Sequence, residues 1–483
     1  MTPAFVQPDL LPALPEMVML GMTCLVLVVD LFLPQEKRGF TLLLSLATLV
    51  LAVGAVLAVA PAGAVTTFSG TFILDQLAVV LKISVCVITF LVFVYSRDYL
   101  IDHDIYKGEY YVLGLFATLG MMIMISAHSF LLVYLGLELL SLSLYAMIAF
   151  NRDSVSASEA AMKYFVLGAM ASGLLLYGIS IFYGITGTLN ISEVSAAVSS
   201  QILLNPVALG FALTFIIVGL CFKLGAVPFH MWLPDIYQGA PTSVTLFIGT
   251  APKIAGFAMT MRLLVDGLSD LQLDWSQMLI VLAIASMAIG NIIAIAQVNF
   301  KRMLAYSTIS HVGFILLGIL SGTANGYASA MFYTITYAIT AAVAFAVLML
   351  LNRKGFEAEN ISDLSGLNNS SPWYAALLAI AMFSMAGVPP TVGFYAKLSV
   401  LQSVVQVDLL WLAVVAVLLS VIGLFYYLRI IKVMYFDTPA EEQSISIKGA
   451  LDVKLLLSAN ALSLIALGIF PSTLMAYCIV AFA

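Results

Sequence analysis

Charge is what this chain has least of. Asp, Glu, Lys and Arg make up 9% of its 483 residues, against about 25% in ordinary soluble domains, which excludes a soluble enzyme. The four cysteines, Cys24, Cys86, Cys221 and Cys478, all read as lying in apolar spans and share no CxxC spacing. Neither an iron–sulfur cluster nor a cysteine metal site is suggested, and packing as small hydrophobes suffices. No GxGxxG follows a strand, no GxxxxGK[ST] loop occurs, and no polar stretch is long enough for a nucleotide domain. His103, His128, His230 and His311 are too scattered for a haem or zinc site. The chain is expected to do no redox chemistry by itself.

What the chain has instead is apolar residues, 63% of the total. A hydrocarbon core about 30 Å thick is crossed by roughly 20 apolar residues in a helix. Runs of that length recur from 12–33 to 451–475, about fourteen in all. The first lacks a basic flank and is long enough to span, so it reads as a membrane helix, not a cleaved signal.

Basic residues are sorted by side. With the spans so placed, fourteen of the nineteen fall on one face: Lys37, Arg38, Arg97, Lys107, Arg152, Lys163, Lys301, Arg302, Arg353, Lys354, Arg429, Lys432, Lys448 and Lys454. Only Arg262 falls on the other. An excess of Lys and Arg marks cytoplasmic loops, so both termini are expected outside. Lys82, Lys223, Lys253 and Lys397 have no loop to escape into. A charge near the bilayer centre costs roughly 2.5–3.5 kcal/mol on insertion scales, so each needs a reason. A series of buried lysines points to moving charge, above all protons.

Two spans, 205–238 and 372–406, are too long and are interrupted alike, by LCFKLGAVPFHMWLPDIYQGAP at 220–241 and AMFSMAGVPPTVGFYAKL at 381–398. Proline removes a backbone donor and opens the helix, here at Pro228 and at Pro389 and Pro390, with Pro252 a further supporting break in 241–265. Opened backbone inside a membrane is tolerated where it is buried or lines a wet cavity. A shift of 161 residues sets Phe222, Val227 and Pro228 on Phe383, Val388 and Pro389, and Tyr145 on Tyr306. It moves the fourth span onto the ninth, an odd number of crossings, so the units are expected to be inverted, as in transporter folds. The expected architecture is an all-α polytopic membrane protein with broken helices 7 and 12. Three helices occupy 1–109, five-helix units occupy 110–265 and 276–434, and a cytoplasmic loop with a last helix occupies 435–483.

The buried charges can then be weighed. Glu138 lies about nine residues into its span, too deep for a carboxylate to reach water. It is placed to pair with Lys223, which precedes the first break, either as a static ion pair or as a modulating one. Lys253 follows Pro252 and has no second acid on flanking helices. Lys397 follows the second break and could snorkel as an anchor or release protons. Lys82, seven residues beyond Asp75, could snorkel, pair locally or function. His311 could be satisfied by Ser and Thr neighbours, or relay protons, as an imidazole with a pKa near 6.5 can. His230 and Asp235 stand by the cytoplasmic approach to the first break. Burial weakens a lysine's hold on its proton, so a moving charge pair nearby could load and unload one without a cofactor.

The segments LGLELLSLSLYAM, FKLGAVPFHMWLPDIYQGAP, TAPKIAGFAMTMR, FKRMLAYSTISHVGF and AGVPPTVGFYAKL resemble the antiporter-like membrane subunits of respiratory complex I, over roughly 110–434. QGAP after WLPD, and the lysine in TAPKIAGF, look most like the subunit N branch of that family. The resemblance implies a proton relay in which Glu138 and Lys223 modulate, Lys253 is central, His311 continues the axis and Lys397 stands at the outward exit; it assigns nothing to Lys82. It further implies a bacterial inner membrane and neighbouring antiporter-like subunits as partners besides lipid, with no nucleic acid. NADH, flavin, iron–sulfur clusters and quinone would belong to other chains. A subunit of a Mrp-type cation/proton antiporter is the alternative on the same fold, and a passive assembly scaffold with structural lysines is a third reading.

Overall fold

In the computed structural model the described residues are 7–200, 205–352, 357–438 and 449–483; Arg353, Lys354 and Lys448, placed above on the basic side, lie outside them. Long apolar runs leave the backbone no partner in lipid but itself, so they fold as helices. The chain opens with α1 (Leu14–Phe32), α2 (Gly39–Ala58) and α3 (Gln76–Asp102), which pack in sequence, α1 also touching α4 (Glu109–Ile125). There follow α5 (Phe130–Ile148), α6 (Val155–Thr186), a short α7 (Ile191–Ser200), α8 (Pro206–Leu224) and α9 (Trp232–Gly239). Next come α10 (Thr242–Gly249), α11 (Ala251–Thr260), α12 (Gln272–Ile295), α13 (Phe300–Leu320) and α14 (Ala324–Leu351). The last elements are α15 (Leu367–Ser370), α16 (Pro372–Ala386), α17 (Val392–Gln406), α18 (Leu410–Phe436), α19 (Leu451–Ile469) and α20 (Ser472–Val480).

Among the described residues, twelve helical stretches are long and apolar enough to cross a bilayer, and the shorter apolar helices α4 and α16 stand beside them. The core is off-centre in sequence. The most apolar windows of Thr242–Asp266 and α13 are 100% and 94% buried within the chain itself, so the helices that carry Lys253 and His311 are shielded from lipid by their neighbours. Helix pairs α4–α5 and α12–α13 approach backbone to backbone. A β-carbon on Gly120 would stand 2.7 Å from Leu140 N, and one on Gly290 would stand 2.7 Å from Ser310 N, the close approach that small residues allow in membranes.

Three expectations need correction. The chain is not wholly α: β1 (Val65–Thr67) and β2 (Phe72–Leu74) form an antiparallel hairpin, because Phe68, Ser69 and Gly70 turn through positive φ and bring β-branched and aromatic neighbours into register. The span 241–265 is interrupted at Thr250 (φ −121°, ψ −93°), beside the break expected at Pro252, and ends in a π-helical turn, Met261–Asp266. Pro252, in the first turn of α11, has no N–H to continue α10, and the Thr250 hydroxyl bonds back to Leu246 O at 2.7 Å. Lastly, α6 runs past its expected 162–184, with Ser154 as N-cap and left-handed Gly187 as C-cap, and Cys478 sits in α20, a helix not expected from the sequence.

Candidate functional site

The two long spans break in the same way. Helix α8 ends at Leu224, where Gly225 (φ 84°) donates its N–H to Cys221 O and Phe222 O. Helix α16 ends at Ala386, where Gly387 (φ 84°) donates to Phe383 O and Ser384 O. Only glycine takes this conformation without a steric penalty. A cis prolyl bond follows each, Val227–Pro228 and Pro389–Pro390. The glycines are 162 residues apart, one more than the 161-residue shift of the sequence match.

A helix end leaves carbonyl oxygens unbonded and partially negative, and at each break a lysine ammonium meets them. Lys253 Nζ, on α11, donates to Leu224 O at 2.8 Å and lies 5.4 Å from the Trp232 ring centroid. Lys397 Nζ, on α17, donates to Ala386 O at 2.9 Å and to Ser420 Oγ at 2.8 Å, over the Phe314 ring. Neither forms an ion pair among the described residues. Each is therefore held by dipoles that do not neutralise it, an arrangement compatible with gain and loss of a proton.

Polar side chains cluster on the Lys397 side of the two. Tyr237 OH is buried without a hydrogen-bond partner among the described residues, and Thr308 Oγ1 lies 2.7 Å from Tyr337 OH. His311 touches the Tyr337 ring, with its Nδ1 2.6 Å from Tyr333 OH and its Nε2 3.0 Å from Tyr427 OH. It is thus held by tyrosines, not by Ser and Thr neighbours. Tyrosine is long enough to reach it from α14 and α18, whereas the hydroxyls beside it on α13 turn elsewhere. A cavity of about 20 Å³ joins His311 and Tyr333 to Thr340, Ser384 and Lys397, room for one water. Tyr333 and Tyr337 escaped the sequence reading, although YTITY places two hydroxyls at i and i+4 on one helix face.

The other candidates stand as follows. Lys223 does not touch Glu138; its Nζ donates to Ser141 Oγ at 3.1 Å. Ser141 lies one turn beyond Glu138 on α5 and intercepts the lysine, leaving Glu138 Oε1 buried without a hydrogen-bond partner among the described residues. Lys82 neither snorkels nor pairs with Asp75. It is fully buried with its Nζ 2.6 Å from Glu16 Oε1 on α1, because Asp75 is already held by Arg262 at 2.8 Å. His230 is half-buried in the turn after the first break. Asp235 bonds Lys163 at 2.9 Å and Arg302 at 2.6 Å, at a polar cavity of about 260 Å³ that Glu159 and Gln238 also line. Among the described residues no group of three or more His, Cys, Asp or Glu could hold a metal.

A family model described as "NADH:quinone oxidoreductase/Mrp antiporter, TM" matches residues 127–423, which include every residue of the polar row from Glu138 to Lys397. The NADH-quinone oxidoreductase subunit N of Thioalkalivibrio sulfidiphilus is 63% identical over 469 residues, 97% of each chain. The chain belongs to the subunit N family of NADH-quinone oxidoreductases. It is therefore an antiporter-like membrane subunit of that multi-subunit translocase, and a multi-pass protein of a bacterial inner membrane. A chain of respiratory complex I from Thermus thermophilus with bound aureothin superposes with a TM-score of 0.81 at 29% identity, over 96% of this chain and 98% of that one. A chain of the Mrp complex from Dietzia sp. gives 0.82 at 23% identity, over 98% and 96%, a likeness of fold alone.

Proposed function

We propose that this chain carries protons across the bilayer along a row formed by Glu138, Lys223, Lys253, His311 and Lys397, driven by quinone reduction elsewhere in the complex. The observation that carries this reading is the pair of broken helices, each with a lysine on its open end and hydroxyls between. In this reading the chain crosses the membrane fourteen times, α8 with α9, α10 with α11, and α16 with α17 each making one crossing. Both termini lie on the periplasmic side. The 162-residue spacing of Gly225 and Gly387 supports two inverted units, 110–265 and 276–434, with 1–109 and 435–483 flanking them. Protons enter from the cytoplasm past Asp235 and His230, reach Lys253, and pass the Thr308 and Tyr337 hydroxyls to the cavity between His311 and Lys397. They leave from Lys397. NADH, flavin, iron–sulfur clusters and quinone reside on partner subunits.

The test is proton pumping by the intact complex carrying Lys253→Arg. Guanidinium can still donate to Leu224 O but stays protonated at any working pH. The complex should assemble and lose most of its coupled pumping; normal pumping would refute a central role for Lys253.

A further inference from the structure

The two breaks are alike in their hydrogen bonds until one residue, where a backbone donor is present in one and missing in the other. Ala226 N–H donates to Cys221 O at 2.8 Å, and Val388 N–H donates to Phe383 O at 3.0 Å. These are the same carbonyls that Gly225 and Gly387 bond, so the breaks align residue by residue. The next residue is Val227 in the first break and Pro389 in the second. Proline has no N–H, so the second break has no donor to satisfy there.

Val227 does have one. It lies past the end of α8, and a buried N–H beyond a helix end must find an acceptor elsewhere. It finds a side chain: Val227 N–H donates to Ser286 Oγ at 3.0 Å. Both residues are buried, Ser286 completely. Ser286 stands on α12, the helix that opens the second of the proposed units, whereas the break belongs to the first. Leu224, three residues before Val227, is the residue whose carbonyl receives Lys253 Nζ at 2.8 Å. The short turn between them is thus held at both ends, by α8 itself on one side and by Ser286 on the other.

We infer that Ser286 is a positioning residue: its hydroxyl oxygen takes the Val227 N–H and so holds the open end of α8 where Lys253 meets Leu224 O. A serine can do this from a neighbouring helix because its short side chain brings an acceptor up to the backbone without filling the turn. Pro389 makes such an acceptor unnecessary at the second break. The inference rests on the relay proposed above, since it assigns Ser286 to the seat of Lys253.

The experiment measures protons pumped per NADH oxidised by the intact complex in liposomes, for Ser286→Ala, Val227→Pro and the two together. Ser286→Ala should lower the ratio several-fold, because the N–H is left buried without its acceptor. Val227→Pro alone should lower it as well, since the ring Cδ replaces the amide hydrogen and is driven into Ser286 Oγ. Together the two changes should return the ratio to near native: alanine makes room for the ring, and the ring removes the donor, as Pro389 does in the second break. Ser286→Thr, which keeps the oxygen, should also pump better than the equally bulky Ser286→Val. A native ratio in Ser286→Ala, with Lys253→Arg inactive, would overturn this inference alone. Multiplicative losses in the double variant, or equal losses in the threonine and valine variants, would overturn it too, because they mark plain packing of α12. Normal pumping by Lys253→Arg would refute the relay and the positioning role with it, while mutual rescue read as thermal stability of the complex would still establish the bond.

Discussion

The side chain of Lys397 lies directly against Gly387: a β-carbon on that glycine would stand 2.8 Å from Lys397 Cδ and 3.3 Å from its Nζ. At the first break the matching gap is wider, 3.6 Å from Gly225 to Lys253 Nζ. The glycine that ends each half-helix also clears the seat in which the lysine sits.

Gly387→Ala should therefore damage the outward half of the path more than Gly225→Ala damages the centre. Both substitutions force a non-glycine residue into the left-handed region, at roughly 1–2 kcal/mol, but only the first also displaces its lysine. Pumping by assembled complexes should drop more for Gly387→Ala. Equal effects would mean that backbone conformation alone matters.

Lys223 should couple more strongly to Ser141 than to Glu138. A hydrogen bond to a charged group contributes about 1.5–3 kcal/mol, whereas Glu138 makes no direct contact. Double-mutant cycles on quinone reductase activity, Ser141→Ala with Lys223→Ala against Glu138→Gln with Lys223→Ala, measure this. A larger coupling for the second pair would show that the two charges close on each other during turnover.

Lys82 and Glu16 should matter to assembly and not to pumping. Removing one partner of a buried ion pair costs about 3–5 kcal/mol, while replacing both by apolar groups is often neutral. Lys82→Met should reduce the amount of assembled complex, and Glu16→Leu added to it should restore that amount, with normal pumping per complex throughout. A restored complex that pumps poorly would give Lys82 a part in transport.

The loop after α14 should confer acid sensitivity. Burial pushes the Glu357 carboxyl up, but the Lys301 ammonium and hydrogen bonds from Thr242 and Tyr99 outweigh it and hold the group below its ordinary range. A depressed folded-state pKa contributes stability above the unfolded value of about 4.3 and loses it as pH falls through the folded one. Thermal melts of the complex from about pH 6 downwards should show a steeper acid loss for the native chain than for Glu357→Gln. Parallel profiles would remove Glu357 from the account.

Much of this protein was legible before folding, because lipid allows so few solutions. Where nothing outside the chain can bond the backbone, apolar length predicts helices, proline predicts their breaks, and a lysine without a loop demands a partner; Lys253 and Lys397 stood out on those grounds alone. What the sequence could not decide was partnership. Whether Lys223 reaches Glu138 or Ser141 turns on one helical turn of α5. Whether Lys82 pairs with Asp75 or Glu16 turns on where Arg262 arrives from α11's end. The tyrosines around His311 come from α14 and α18, elements far apart in sequence whose approach is set by packing of whole helices. Hydropathy and spacing report what each segment must bury; only the tertiary structure decides which polar atoms meet, because a hydrogen bond is made or lost over less than an ångström.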